Sequence, residues 1–269
     1  MKTAIITGGT GAIGKALVAE FSRDYKVVFT YCNNEEDAIS LSDKYSATAV
    51  CCDLSKPEEV KKLTPYVSDC GLLINNAGIS QIKLFTDITD EDWNRMVGVN
   101  LSGVFYLTRE VVPAMVHHKN GSIINISSVW GVHGASCEVH YSAVKAGVIG
   151  LTKALSKELG PSNIRVNCIA PGVIDSRMNS HLSAEELLEL TDSTPLGRMG
   201  TPDEIAHAAR FFEQNRFATG RFSAWTADFI NKKGTVTAWK NSYSSDRKTP
   251  YLSITTTKLT KSDFPIIFQ

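Results

Sequence analysis

The sequence predicts an α/β fold, a single domain built on a doubly wound parallel sheet. Three observations predict it. Short apolar runs alternate with amphipathic segments from the N-terminus to about residue 212. The apolar runs are continuous rather than alternating in and out, as expected of strands buried on both faces. A glycine-rich turn follows the first run and opens the first amphipathic segment, where such sheets hold a pyrophosphate.

In chain order, strands are expected at Thr3–Thr7, Val27–Tyr31, Thr48–Cys52, Leu72–Asn75, Ser122–Ile126 and Arg165–Ile169. Helices are expected near 12–23, 34–45, 57–67, 90–117, 139–160 and 202–212. Asp90 with Trp93, and Thr201-Pro202-Asp203-Glu204, read as helix starts. Right-handed crossovers between these strands give a Rossmann-type sheet of order 3-2-1-4-5-6. No repeat or linker interrupts the pattern before about residue 212. The domain is set at residues 1–229. Residues 230–269, rich in Lys, Ser and Thr and lacking a period, are expected to be irregular.

Composition narrows the function. The 269 residues carry 28 Lys and Arg against 28 Asp and Glu, so the formal net charge is zero. No basic excess points to nucleic acid and no charge block to a membrane surface. No apolar run approaches the roughly 20 residues of a membrane span. The opening Met1-Lys2-Thr3-Ala4-Ile5-Ile6-Thr7-Gly8 is too short an apolar run for a signal peptide. A soluble cytoplasmic protein is expected, with neither nucleic acid nor membrane as partner. The six cysteines, Cys32, Cys51, Cys52, Cys70, Cys137 and Cys168, form no C-x-x-C pair and no zinc spacing with histidine. They read as reduced residues packed like small apolar groups, and no metal site is expected.

The glycine turn is Thr7-Gly8-Gly9-Thr10-Gly11-Ala12-Ile13-Gly14. Glycines allow a tight turn and close backbone approach, and the helix that follows offers N–H groups and a positive dipole end. Gly8, Gly9, Thr10, Gly11, Ile13 and Gly14 are thus candidates to hold a dinucleotide pyrophosphate. An NAD site usually places an acid about 20 residues on, against the ribose 2′-hydroxyl. Here that region reads Thr30-Tyr31-Cys32-Asn33-Asn34, without an acid, and Lys15 is the one obvious local cation. NADP(H) is therefore favoured over NAD(H). Asp53, after the third strand, either meets the adenine amino group or caps the helix at 57–67.

The stretch from Ser128 to Lys145 carries the chemistry. Tyr141 and Lys145 stand at i and i+4 of an expected helix, on one face. A free phenol, with a pKa of about 10, is a poor acid or base near neutrality. A fixed cation beside it favours phenolate and lowers that value. Ser128, delivered from a neighbouring strand, could hydrogen-bond a substrate oxygen. His140 adjoins Tyr141, but at i−1 it faces elsewhere.

Several motifs in order resemble the short-chain dehydrogenase/reductase family over roughly residues 2–212. They are the glycine turn, Asn75-Asn76-Ala77-Gly78, Asn100 in Val99-Asn100-Leu101, the Ser128–Tyr141–Lys145 set, Pro171-Gly172 with Ile174, and Pro195-Leu196-Gly197-Arg198. The turn departs from the common T-G-x-x-x-G-x-G, since Ala12 replaces the middle glycine. It also fits T-G-x-x-G-x-x-G through Gly8, Gly11 and Gly14, the pattern of extended, sugar-nucleotide-modifying relatives. The resemblance implies hydride transfer from a nicotinamide to a carbonyl carbon. Tyr141 would give a proton to the carbonyl oxygen, Ser128 would hydrogen-bond it, Lys145 would lower the Tyr141 pKa and hold the ribose, and Asn100 would anchor a water. It further implies cofactor contacts at Tyr31, Asp53, Leu54, Asn76, Ala77, Gly78, Tyr141, Lys145, Pro171, Gly172 and Ile174, and a homodimer or homotetramer.

The chain is most similar to 3-oxoacyl-acyl-carrier-protein reductases. Ser127-Ser128-Val129-Trp130-Gly131 and Gly134-Ala135-Ser136-Cys137-Glu138-Val139 are similar to a subgroup reducing the 5-aminopentanone-modified lysine of elongation factor P. In that case Glu138 or Asp175 would attract a cationic amine. The substrate, small or carrier-bound, would lie under a moderately apolar loop at about 175–200 with Met178, Leu182, Leu187 and Leu188. A reading of another class is a non-catalytic NADP-binding regulator or an inactivated pseudoenzyme.

The family closes with a seventh strand, T-G-Q-x-x-x-V-D-G-G-F. Here Thr219-Gly220 is followed by Arg221-Phe222-Ser223-Ala224-Trp225-Thr226-Ala227-Asp228-Phe229. A coding stretch for the family ending, read after loss of one nucleotide, encodes Gly220 to Phe229 as they stand. A frame change at about Arg221 is therefore expected, with read-through beyond Phe229, a seventh strand present only by chance, and weakened packing at that edge.

Overall fold

The computed structural model describes residues 1–176, 183–192, 194, 196–225, 239–241 and 252–254. One compact unit comprises Met1–Met178 with Gly200–Thr226, and a second comprises Asn179–Met199 with Ala227–Gln269.

The first unit is a parallel sheet wrapped by helices. β1 (Thr3–Ile6) leads to α1 (Ala12–Phe21), β2 (Lys26–Tyr31) to α2 (Glu35–Tyr45), and β3 (Thr48–Cys51) to the short α3 (Pro57–Val60) and α4 (Thr64–Val67). A 3-10 turn, Lys61–Leu63, joins α3 to α4, so the helix expected over 57–67 is broken rather than continuous. Then come β4 (Cys70–Asn75), α5 (Asp90–Val97), α6 (Gly103–His118), β5 (Gly121–Ile126), α7 (Trp130–His133), α8 (Val139–Leu159) and β6 (Ile164–Pro171). In the second unit, α9 (Ala184–Asp192) lies in the stretch expected to be a substrate loop. α10 (Pro202–Gln214) and β7 (Phe222–Trp225) complete the first unit. α5 and α6 are joined by a π-helical turn, Gly98–Ser102, within the helix expected near 90–117. Capping boxes at Thr89 with Asp92 and at Thr201 with Glu204 start α5 and α10, each satisfying two orphan backbone donors.

The sheet order is β3-β2-β1-β4-β5-β6-β7, every neighbour pair parallel. Continuous apolar strands arise because alternate residues face opposite sides and both sides are covered. Ile6, Ile74 and Ile124 pack on one face with Leu17, Phe21, Phe29 and Phe212. Ile5, Leu73 and Ile123 pack on the other with Leu63, Leu107 and Met115.

The expected order holds, and the seventh strand, doubtful from sequence, forms beside β6. Its register sets Cys168 against Phe222 and Pro171 against Trp225. Backbone pairing is indifferent to side chains, and the local frame is strong: Gly220 N–H donates to the Val166 carbonyl (2.8 Å), and the Asn167 amide donates to the Ala218 carbonyl (2.8 Å) and accepts from Arg221 N–H (3.1 Å). Phe222 packs against Val104, Val148, Ile149 and Cys168.

In the second unit, the stretch expected to be irregular contains a short antiparallel pair, β8 (Trp239–Asn241) with β9 (Leu252–Ile254). The rest of 230–269, and Met178 and Leu182 of the expected substrate loop, lie outside the described residues. Four cysteines, Cys52, Cys70, Cys137 and Cys168, are buried as expected, whereas Cys32 and Cys51 are exposed at the ends of β2 and β3. No described helix is long and apolar enough to cross a membrane.

Candidate active site

The C-terminal ends of β1, β4, β5 and β6 bring the expected residues together. After β1 the chain turns through Gly8, whose φ of +66° is a region that glycine enters without cost. Gly8 and Gly9 donate their N–H groups to Thr30 Oγ1 (3.1 Å) and the Thr30 carbonyl (2.8 Å). A side chain at Gly14 would collide with the Gly8 carbonyl, and one at Gly9 with the Phe29 ring, whereas one at Gly11 would come only within 3.4 Å of Gly8 O. Gly11 is the N-cap of α1 and no side chain caps that end, which leaves the helix N-terminus suited to an anion. This glycine cradle fits a pyrophosphate. Thr10 and Ile13 flank it.

At the adenosine end, no acid follows β2 directly. Asp37, in the first turn of α2, nevertheless folds back to Lys15 (2.9 Å) and accepts from the Asn34 amide (2.7 Å). The expected local cation is thus already paired. Asp53 accepts from Ser55 N–H (3.0 Å) and Ser55 Oγ (2.7 Å) and pairs with Lys56 at 3.5 Å. These bonds to Ser55 hold its carboxyl below the usual range. Among its described contacts, Asp53 therefore organises the turn before α3. Leu54 is buried, and a side chain on Gly103 would press against it, so only its backbone is placed to meet a ligand. Tyr31 is half-buried at the end of β2.

The Asn76-Ala77-Gly78 turn clamps the glycine loop. Thr7 Oγ1 accepts the N–H groups of Asn76 and Ala77, each at 2.9 Å, and the Asn76 amide donates to the carbonyls of Thr7 (2.9 Å) and Gly8 (3.2 Å). Gly78 lies where two functional groups meet: a Cβ there would stand 2.6 Å from Asn100 Oδ1 and 3.3 Å from Lys145 Nζ. Asn100 is fully buried in the π-helical turn. Its Oδ1 accepts from Ile79 N–H (3.2 Å), and its Nδ2 donates to the carbonyls of Ile79 (3.1 Å) and Met96 (3.2 Å). Its two amide hydrogens are thus spent on protein, while Oδ1 accepts one bond and keeps a second lone pair.

Ser128 follows β5, while Tyr141 and Lys145 lie in the first turns of α8, all three buried. Ser128 Oγ accepts from Trp130 N–H at 3.2 Å. Lys145 Nζ donates to the Ile126 carbonyl (3.0 Å) and stands 5.6 Å from the Tyr141 ring centroid. Ser127 Oγ donates to the Lys145 carbonyl at 2.8 Å, which ties β5 to α8. Desolvation lowers Lys145 to about 8. It raises Tyr141 to about 12, with Ser128 opposing and Glu138 adding to the rise. In this dry setting Tyr141 holds its proton.

Pro171 and Gly172 close β6, where the Pro171 carbonyl accepts from Val129 N–H (2.9 Å). Ile174 is buried and bridges to Gly200. Asp175 is exposed. Glu138 is the N-cap of α8 but makes no capping bond. Burial alone raises its carboxyl to about 7. Sequence reasoning missed Thr7 as the brace of the Asn76 turn and Gln81 as the partner of His140. Neither sits in a recognisable pattern, because each acts on residues distant in the chain. Gly131 was also missed, although a side chain there would strike the Lys145 backbone.

Residues 2–187 match the short chain dehydrogenase family. The chain is similar to the 3-oxoacyl-[acyl-carrier-protein] reductase FabG of Chlamydia muridarum, 38% identical over 82% of this chain and 94% of the relative. It is similar to an uncharacterized oxidoreductase of Bacillus subtilis, YmfI, 37% identical over 82% of this chain and 95% of that one. The crystal structure of a 3-oxoacyl-[acyl-carrier protein] reductase from Brucella melitensis superposes with a TM-score of 0.77 at 31% identity, covering 84% of this chain and 90% of that one.

Proposed function

The chain belongs to the short-chain dehydrogenase family, and on that premise we propose that it reduces a 3-oxoacyl thioester to the 3-hydroxy form with NADP(H). Oxidoreductase chemistry between carbonyl and alcohol follows from the family. The observation that best supports the finer reading is a buried phenol that keeps its proton, one helical turn from Lys145, with Lys145 and Asn100 converging at Gly78.

A nicotinamide dinucleotide held by the glycine cradle would supply a hydride to the carbonyl carbon. Tyr141 gives its phenolic proton to the carbonyl oxygen as charge builds there. Ser128 turns its hydroxyl to the same oxygen and stabilises that charge. Lys145 stands close enough to temper the negative charge left on Tyr141. The glycine cradle and the uncapped start of α1 hold the pyrophosphate, while Asn76 keeps the cradle in shape. NADP(H) rather than NAD(H) is supported by the absence of an acid directly after β2, where Tyr31, Cys32, Asn33 and Asn34 follow one another.

The test is NADPH oxidation with acetoacetyl thioester. Turnover is expected, and Tyr141→Phe should lower kcat by roughly 10²–10⁴-fold with NADPH still bound. Equal use of NADH would sink the cofactor reading. Tight NADPH binding with no turnover of any carbonyl would instead favour the non-catalytic regulator.

Glu138 favours a second substrate. Its side chain is half-buried, influences Tyr141 through space and has no hydrogen-bond or ionic partner among the described residues. A carbonyl compound bearing a primary ammonium, such as a 5-aminopentanone group on a protein lysine, would supply the missing partner. If Glu138→Gln left the kcat/KM ratio between an aminoketone and a neutral ketone unchanged, this reading would be wrong.

A further inference from the structure

The segment after Gly78 is fastened to three elements. Ile79 exchanges hydrogen bonds with Asn100 at 3.2 and 3.1 Å. Lys83 N–H donates to the Cys137 carbonyl at 2.8 Å. Between them, Gln81 Nε2 donates to Asp92 Oδ1 at 2.8 Å, while Gln81 Oε1 lies 2.9 Å from His140 Nε2.

The protonation of this chain of contacts follows from its first member. Lys83 and Thr89 N–H also reach Asp92, at 2.6 and 3.0 Å, and these donors hold its carboxyl far below the usual range. An ionised carboxylate only accepts, so the amide nitrogen of Gln81 faces Asp92 and its oxygen faces His140. A carbonyl oxygen only accepts, so His140 must carry its proton on Nε2. His140 is fully buried and its Nδ1 has no partner among the described residues. A second proton there would find no acceptor. Burial accordingly lowers the His140 pKa, with Asp92 pulling up and Lys83 pushing down.

We propose that Gln81 and His140 are positioning residues. Through the Nε2–H tautomer, Gln81 pins the first turn of α8 to the segment that grips Asn100, and so sets where Tyr141, the next residue, presents its phenol. A histidine that merely filled space would need no fixed tautomer. The proposal rests on the reading that Tyr141 is the proton donor.

The test uses the full chain with Gln81→Met, His140→Phe, the double variant and His140→Gln, which keeps an N–H donor. Gln81 is only half-buried, so its methionine variant is expected to fold. Each single loss should lower kcat about tenfold, as a small misplacement of a reacting group does, with the NADPH KM unchanged. The double variant should be no worse than either single one, and His140→Gln should recover most of the rate. Nitrogen-15 NMR should find His140 as the neutral Nε2–H tautomer, and this preference should weaken in Gln81→Met. Additive losses, or an unchanged kcat with only a lower Tm, would overturn the proposal. If the parent chain reduces no carbonyl, the reductase reading alone fails. The His140 tautomer and the Tyr141 ring resonances then decide: both unchanged in Gln81→Met would overturn the positioning role.

Discussion

Burial governs the charges at the site. Tyr141 is raised to about 12, Lys145 lowered to about 8 and Glu138 raised to about 7, each chiefly by loss of water. The sequence placed the phenol and the ammonium on one helix face, but it could not say how dry that face would be. Glu138 makes the consequence measurable. Its folded pKa, about 7, lies above its ordinary value of 4.5. The folded state therefore prefers the neutral carboxyl. Its contribution is fully present below about 4.5 and is lost as the pH rises through about 7. At 1.36 kcal/mol per pKa unit, the loss is at most about 3 kcal/mol. Urea unfolding at pH 5 and pH 8 should show the parent losing more stability over that interval than Glu138→Gln. Parallel losses in the two chains would show that Glu138 ionises freely in the fold.

At the scale of elements, the glycine loop shows how much was legible and why the rest was not. The loop's place between β1 and α1 could be read directly, because a strand, a turn and a helix are local patterns. The glycine spacing fitted two patterns, and only the packing ranks the glycines. Gly14 has the Gly8 carbonyl where a side chain would go, while Gly11 has ordinary room. Gly14→Ala should therefore lower Tm by several degrees, as about 1–3 kcal/mol of overpacking does, and abolish cofactor binding. Gly11→Ala should keep its Tm. Thermal melts with and without NADPH separate the two, and equal effects would contradict the packing. The same limit explains another miss. The clasp from Thr7 to Asn76 depends on a contact between residues distant in the chain, which no local period records, whereas the break at Lys61–Leu63 had a local sign in Pro65, at the start of α4. Helix starts such as Thr201 with Glu204 were legible because a capping box is complete within four residues.

For the whole molecule, the outer edge of the sheet is where sequence and fold pull apart. The seventh strand pairs along its length with β6. Its side chains give little in return: Phe222 reaches the core, but Ser223 is polar and Ala224 is small and exposed. The backbone frame set by Asn167 and Gly220 thus holds a strand whose inward face is poorly filled. On the expected frame change, restoring one nucleotide before the Arg221 codon would replace the segment with the family ending. That ending sets a valine at the position of Trp225 and keeps a phenylalanine at that of Phe229. If the restored strand packs better by about 2 kcal/mol, Tm should rise by roughly 4–8 °C for a domain of this size. The homodimer or homotetramer proposed from the family should also gain, since a firmer edge presents a better surface to a second copy. Sedimentation of the two chains at equal concentration, with melts alongside, tests both expectations. Identical Tm and identical mass would mean that β7 as it stands already supplies all the edge the fold needs, and the frame-change account would lose its physical support.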